Sequence, residues 1–283
     1  MVRNQLIAVF TATGNLLSGG LDGNLYVWDK DCRLSATHKV ANRSIMSNIT
    51  ALDASHNVCA IASQDYQLVL LDYTTDAVLH VINTKYPVKQ LKFSPSGNTL
   101  IVLEASGLRY WRYKQEEYKN ALFVKNVDAD RLATYKDYIV TSGEFIHVYH
   151  ADNPKKWKTR WRFETRQPGR QWIQFNDLSV SEGGIIAAAT DYNEIYFFDL
   201  ELNLMGSITI KPKAFPLLWD GENVVYNLYN EVAAYDFIAK ESKEIYTSEN
   251  CQCKYICLHQ QSKRIAVIME QGINITSIDP QYT

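Results

Sequence analysis

Apolar residues in this chain fall in short runs, and the runs pair up around tight turns. The clearest pair is Leu16-Leu17-Ser18-Gly19-Gly20-Leu21-Asp22-Gly23-Asn24-Leu25-Tyr26-Val27-Trp28-Asp29. It reads strand, turn, strand. Asp22-Gly23 supplies the turn, because glycine tolerates positive φ and Asp hydrogen-bonds its own backbone. Leu25, Tyr26, Val27 and Trp28 are strand formers, and an aromatic followed by Asp closes the second strand. Six later β-rich runs close in a similar way, at Leu71-Asp72, Trp111-Arg112, Tyr149-His150, Phe198-Asp199, Tyr235-Asp236 and Ile278-Asp279. Counted from Trp28, the steps are 43, 40, 38, 49, 37 and 43 residues. Many of the runs are continuously apolar rather than alternating, which fits sheets covered on both faces.

A repeat of about 40–45 residues holding four short strands marks a propeller blade. Seven such units use nearly all of the 283 residues, so the chain reads as a single domain, residues 1–283, all-β, a seven-bladed β-propeller. A seven-fold period argues against an ordinary sandwich. Within this frame the outer strand of unit four is expected over 157–163, the inner strand of unit five over 172–175, and the polar insertion Lys114 to Lys119 as one helical turn on the rim. Trp28, Phe93, Trp111, Phe198 and Tyr235 are expected to be largely buried between blades.

The chain resembles WD40-repeat β-propellers. Leu16 to Asp29 matches the end-of-blade motif, and Val88-Lys89-Gln90-Leu91-Lys92-Phe93-Ser94-Pro95-Ser96-Gly97-Asn98-Thr99-Leu100 matches the family's first strand and turn. The resemblance is strong in the first three units and weaker afterwards. It implies a structural Ser–Asp–Trp–His tetrad, of which unit one has Ser18, Asp22 and Trp28, and unit two Ser63 and Asp65. No Gly-His dipeptide precedes any unit, so the His member is missing. The resemblance also implies an N-terminal strand that completes the last blade. Only Met1 to Asn4 precede the first inner strand and only Pro280 to Thr283 follow the last third strand, short of the usual 5–6 residues. The last blade is therefore expected to have three strands, with an edge that is either blunted or available to a strand from a partner.

Composition narrows the function classes. Hydrophobic residues make up 46% and charged residues 21%, ordinary for a globular chain. The net charge of −2 gives no global field for nucleic acid or anionic membrane, and no apolar run is long enough to insert in a membrane. The N-terminus lacks a signal-peptide layout. Five cysteines include the cluster Cys251, Cys253 and Cys257, which lacks zinc-pair spacing and a partner pair. These read as buried free thiols, which points to a cytoplasmic or nuclear location. No cofactor or metal site is expected.

Catalytic motifs are absent: there is no GxSxG, phosphate loop, GxGxxG or HExxH. His147 and His150 flank a strand end and read as structural or surface residues. The strongest surface signal is Lys155 to Glu164. Two-residue alternation puts Trp157, Trp161 and Phe163 on one face and Lys156, Lys158, Arg160 and Arg162 on the other. Arg166 and Arg170 follow. These six cations are the candidate binding residues, for an acidic partner peptide, RNA backbone or membrane phosphate; edge protection is the competing role. The function expected is a non-catalytic scaffold for protein–protein interaction in a multiprotein complex. An RNA-associated subunit that positions nucleic acid for a catalytic partner is the first alternative, and a loop-borne exchange or enzymatic activity the second.

Overall fold

The computed structural model describes residues 5–40, 48–114, 117–125, 127, 129–151, 157–162, 173–210, 214–219, 222–228, 230–248, 252–259, 261–269 and 272–277. They form seven antiparallel sheets, each an up-and-down meander in chain order. Blade one holds β1 (Gln5–Phe10), β2 (Leu16–Gly20), β3 (Asn24–Trp28) and β4 (Leu34–Lys39). Blade two holds β5 (Ile49–Ser55), β6 (Val58–Ser63), β7 (Gln67–Asp72) and β8 (Ala77–Asn83). Blade three holds β9 (Val88–Phe93), β10 (Thr99–Glu104), β11 (Gly107–Lys114) and β12 (Glu117–Lys125). Blade four holds β13 (Arg131–Tyr135), β14 (Tyr138–Ser142), β15 (Ile146–His150) and β16 (Trp157–Trp161). Blade five holds β17 (Phe175–Val180), β18 (Ile186–Thr190), β19 (Glu194–Phe198) and β20 (Leu204–Thr209). Blade six holds β21 (Ala214–Trp219), β22 (Asn223–Leu228), β23 (Glu231–Asp236) and β24 (Glu241–Thr247). Blade seven has three strands, β25 (Cys253–His259), β26 (Arg264–Met269) and β27 (Gly272–Ser277).

Burial follows position in the blade. Second strands such as β18 are buried at every residue, whereas outer strands such as β8 and β20 are mostly exposed. Successive residues of a strand point to opposite faces, so a continuously apolar strand serves two gaps at once. In blade five, Ala187 and Ala189 pack toward blade six, while Ile186 and Ala188 pack toward blade four. One apolar cluster fills each gap around the ring. The last gap closes blade seven on blade one, with Cys257, Ala266 and Ile268 against Ala8, Phe10 and Leu16. Gly19 sits where blade two approaches closely: an added Cβ would lie 2.5 Å from Ile49 Cδ1.

The turn chemistry of the first unit forms as expected, with Gly23 at φ +70°. Trp28 Nε1 donates to the buried Ser18 Oγ at 2.8 Å. In place of a histidine, Asp22 accepts from Tyr26 Oη at 2.5 Å and from Asn24 N. In unit two, Ser63 Oγ donates to Asp65. Phe93, Phe198 and Tyr235 are buried, but Trp28 and Trp111 are only partly so, packed at the margins of their clusters.

Three expectations are corrected. Lys114 to Lys119 is not a helical turn on the rim but the end of the β11–β12 hairpin. Its register sets Tyr113 opposite Tyr118 and Lys114 opposite Glu117, so the ladder continues through the charged stretch. The hairpin's tip, 115–116, lies outside the described residues. The inner strand of blade five is Phe175–Val180 rather than 172–175, because its polar residues, above all Asp177, find partners in the neighbouring blades. Strand β16 ends at Trp161, and Phe163 lies outside the described residues.

Packing alone does not lock the inner strands; side-chain acceptors do so one repeat away. Asp53 on β5 accepts Phe93 N at 2.8 Å and pairs with Lys92 Nζ at 3.0 Å. Gln90 on β9 accepts Leu132 N at 2.7 Å. Asp177 on β17 accepts Leu217 N at 2.8 Å with one oxygen, and Leu178 N at 2.9 Å with the other, which also faces Arg131 Nε at 3.3 Å. Burial raises the Asp177 carboxyl above its usual range, and Arg131 and the two backbone donors oppose that shift. Replacing Asp177 with Ala strands two buried N–H groups and is expected to cost about 2–4 kcal/mol. Asp177→Asn keeps an oxygen for Leu217 and should cost less than half as much. Urea unfolding midpoints at unchanged slope measure both, and an alanine variant as stable as the parent would refute the stapling role.

Candidate functional site

The seven inner strands enclose a central channel with a cavity of about 580 Å³. Lys89, Lys92, Arg131 and Lys254 line it. Lys89 Nζ lies 2.6 Å from Asp130 and donates to Ala129 O, and Lys92 and Arg131 hold Asp53 and Asp177 as above. Burial alone would depress the Lys92 ammonium; Asp53, with Tyr255 and Cys257 near by, reverses this and holds it above its usual value. Burial pushes the Tyr255 hydroxyl up to about 12, although Lys92 opposes the shift. Lys89, Lys92 and Arg131 are thus neutralised by aspartates across or within the ring wall, which suits a structural ionic lining.

The basic strand lies on the rim as the outer strand of blade four. Its register pairs Trp161 with Ile146, Arg160 with His147, Thr159 with Val148 and Trp157 with Tyr149. Lys158 is skipped as a one-residue bulge, so the regular alternation expected through Trp157 to Trp161 slips there. Register shifts recur between the third and outer strands of the first, second, third and fifth blades, near the end of the third strand in the first, second and fifth and mid-strand in the third. Trp161 packs inward, its ring 4.8 Å from Phe198 and 5.7 Å from Phe175. Arg160 is exposed, and its guanidinium lies 4.9 Å over the Phe145 ring; that of Arg162 lies 5.3 Å from the same ring. Arg162 also faces Glu144 at 3.9 Å. The site therefore brings together Arg160 and Arg162, places Lys158 at the bulge beside them, and recruits Glu144 and Phe145 from the β14–β15 turn. Lys156, Arg166 and Arg170 lie outside the described residues.

Sequence reasoning missed Phe145, Glu144 and the channel cations. The signal for the turn residues was slight: an aromatic two positions before His147, across the hairpin from the arginines. His147 is 8% exposed, between the rings of Phe145 at 5.5 Å and Tyr149 at 5.9 Å, and His150 meets Tyr138 edge-on. Both are packed structurally, as expected.

Cys253 and Cys257 are buried and form no disulfide among the described residues, and Cys251 lies outside the described residues. Cys253 belongs to the cluster facing blade six and Cys257 to the one facing blade one. Thiols on opposite faces of one sheet cannot ligate a common ion. Among the described residues no trio of His, Cys, Asp or Glu is placed to hold a metal, and no helix is long and apolar enough to cross a membrane.

No family model matches the chain. Its fold is similar to that of the Cps50 (Swd1) β-propeller domain of Myceliophteria thermophila, with a TM-score of 0.77 over 97% of this chain and 96% of that one, at 15% identity. That likeness shows the seven-bladed fold. Histone acetyltransferase type B subunit 2 of Candida glabrata is 26% identical over 114 residues, 38% of this chain. The matched stretch spans about a quarter of that protein, 27%.

The rim cluster makes a pH prediction. Burial, and then Arg160, lowers the His147 imidazolium pKa to about 4. The unfolded chain protonates first, near 6.5, so stability holds above that value and is lost as pH falls from about 6.5 to about 4, by up to about 3 kcal/mol. His147→Gln should flatten the slope in that window. Thermal melts of both proteins at pH 7 and pH 4.5 read the difference, and parallel losses would exclude a titrating His147.

Proposed function

We propose that this chain is a non-catalytic interaction scaffold of the WD40 type, working within a multiprotein complex through contacts on its rim. The observation that carries the reading is the pair of exposed arginines, Arg160 at the end of the outer strand of blade four and Arg162 just beyond it, both over the partly buried Phe145 ring. A guanidinium pair on an aromatic is pre-ordered for a carboxylate, and arginine and aromatic side chains recur among interface hot spots. The partner chemistry that fits is an acidic protein segment. The likeness to a Swd1 propeller domain, and the partial similarity to a protein named as an acetyltransferase subunit, support the scaffold reading. The expected location is cytoplasm or nucleus.

We propose a second partner contact at blade seven. Among the described residues β27 pairs only with β26, leaving its other edge available for strand addition. Main-chain hydrogen bonds would give the affinity there, and side-chain pockets the register.

Charge reversal at Arg160 and Arg162 together is expected to abolish one partner interaction while changing stability by no more than about 1 kcal/mol per site. Affinity purification from the native host, with quantitative mass spectrometry, compares parent and variant. Retention of every partner would leave edge protection as the only role of the strand. Loss of a salt-sensitive RNA contact instead of a protein would favour the nucleic-acid alternative. In the same assay, Thr276→Pro on β27 should release a different partner; complexes unchanged by it would refute strand addition.

A further inference from the structure

The arginine cluster of blade four sits by a turn between second and third strands. On the opposite face of the ring, the other turns of blades one and seven meet where the ring closes. There the β1–β2 turn, the β3–β4 turn and the β25–β26 turn bound a cleft of about 420 Å³. Its chemically active lining is Thr13, Gly14, Lys30, His259, Ser262 and Arg264. No carboxylate lines it.

This cleft differs from every other basic site described above. Lys89, Lys92, Arg131 and Arg162 each face an acidic side chain. Arg264 instead lies 5.8 Å from the Phe10 ring and donates to Cys32 Sγ at 3.1 Å. Among the described residues, neither Arg264 nor Lys30 has a carboxylate within ion-pair distance. The two cations converge on His259. Burial holds its imidazole below the usual value, with Arg264 and Lys30 adding to the effect against a backbone contact from Ala12. His259 Nδ1 is 2.6 Å from Ser262 Oγ, and its ring packs 5.6 Å from Phe10. Two uncompensated positive charges, two hydroxyls and an imidazole thus surround one partly enclosed space.

We propose that this seam cleft binds a phosphoryl group, with Lys30 and Arg264 as its charge pair and the Thr13 and Ser262 hydroxyls as neutral donors. A phosphoryl monoester carries about −1.5 to −2 charges near neutral pH, which two fixed cations match; a single carboxylate would leave one cation uncompensated. The cleft is within the usual size range for a small ligand. Its walls come from the first and seventh blades, so an occupant ties together the two blades that are farthest apart in sequence. By linkage, such a ligand stabilises the closed ring in proportion to its occupancy. The proposal is independent of the rim contact on blade four.

Inorganic phosphate and N-acetyl-O-phosphoserine amide are the probes, titrated into the full chain at constant ionic strength and followed by ³¹P line broadening. Saturable binding is expected, weakened about tenfold or more by Lys30→Ala or by Arg264→Ala, since each removes one charge-assisted contact. The double reversal of Arg160 and Arg162 should leave it unchanged. Lys30 is exposed, so its variant tests the site even if the loss of Arg264 packing on Phe10 unsettles the fold; far-UV circular dichroism monitors that. Tighter binding of the monoester supports a phosphoryl group borne by a larger molecule, and equal or weaker binding supports free phosphate. Absence of saturable binding to the parent, or equal binding by the Lys30 variant, would overturn the proposal.

Discussion

Each sheet in this ring has two apolar faces, and neither can be buried without a neighbouring sheet. That constraint governs the rest of the structure. It makes the second and third strands continuously apolar, because odd and even residues serve different gaps, as Leu16 and Leu17 do on β2. It also forces small residues where sheets approach, as at Gly19 and along Ala187 to Ala189. Polar groups in the inner strands must then be satisfied by the next blade. Asp53, Gln90 and Asp177 meet backbone donors 40, 42 and 40 residues ahead, so the repeat length of the sequence reappears as the spacing of the bonds that hold the ring.

Blade number, strand order within blades and the three-stranded last blade were legible in the sequence, because they depend on that repeat and on local turn chemistry. The turn at Asp22-Gly23 is an example: its geometry needs only two adjacent residues. The inner strands were less legible. Six of the seven carry a register shift, so their alternation is broken where a reader would count it. Blade five shows the consequence. Asn176, Asp177 and Ser179 look too polar for a core strand until the partners of Asp177, Arg131 in the preceding blade and Leu217 N in the next, are known. The hairpin ending at Lys114 and Glu117 was hidden for a related reason, since a charged sequence reads as a loop unless its cross-strand partner is seen.

The candidate rim site was half legible. Alternation placed Arg160 and Arg162 outward and Trp161 inward, as found. It could not supply Phe145 or Glu144, which reach the arginines from the preceding hairpin, nor the bulge at Lys158, which is set by pairing with β15. The half-buried states of Trp28 and Trp111 have a similar origin. Both stand at outer reaches of their gaps, where fewer residues of the neighbouring blade remain to cover a large ring.

Charge in this ring is graded by how much of it the fold itself uses. In the channel, aspartates on the ring wall neutralise Lys89, Lys92 and Arg131, and removing Asp53 or Asp177 would strand backbone donors as well as a cation. On the rim, Arg162 has a longer ion pair, at 3.9 Å, and both arginines rest on an aromatic face that tolerates exchange with a partner carboxylate. At the seam, Lys30 and Arg264 meet no acid at all among the described residues. A cation matched by a buried acid has little attraction left for a ligand, because binding must first break an interaction of similar strength. An unmatched pair in a confined space pays a repulsion that any entering anion relieves. On the proposals made for the rim and the seam, capacity for an external anion rises from the channel to the rim to the seam, opposite to the order in which these charges are matched by the fold's own acids.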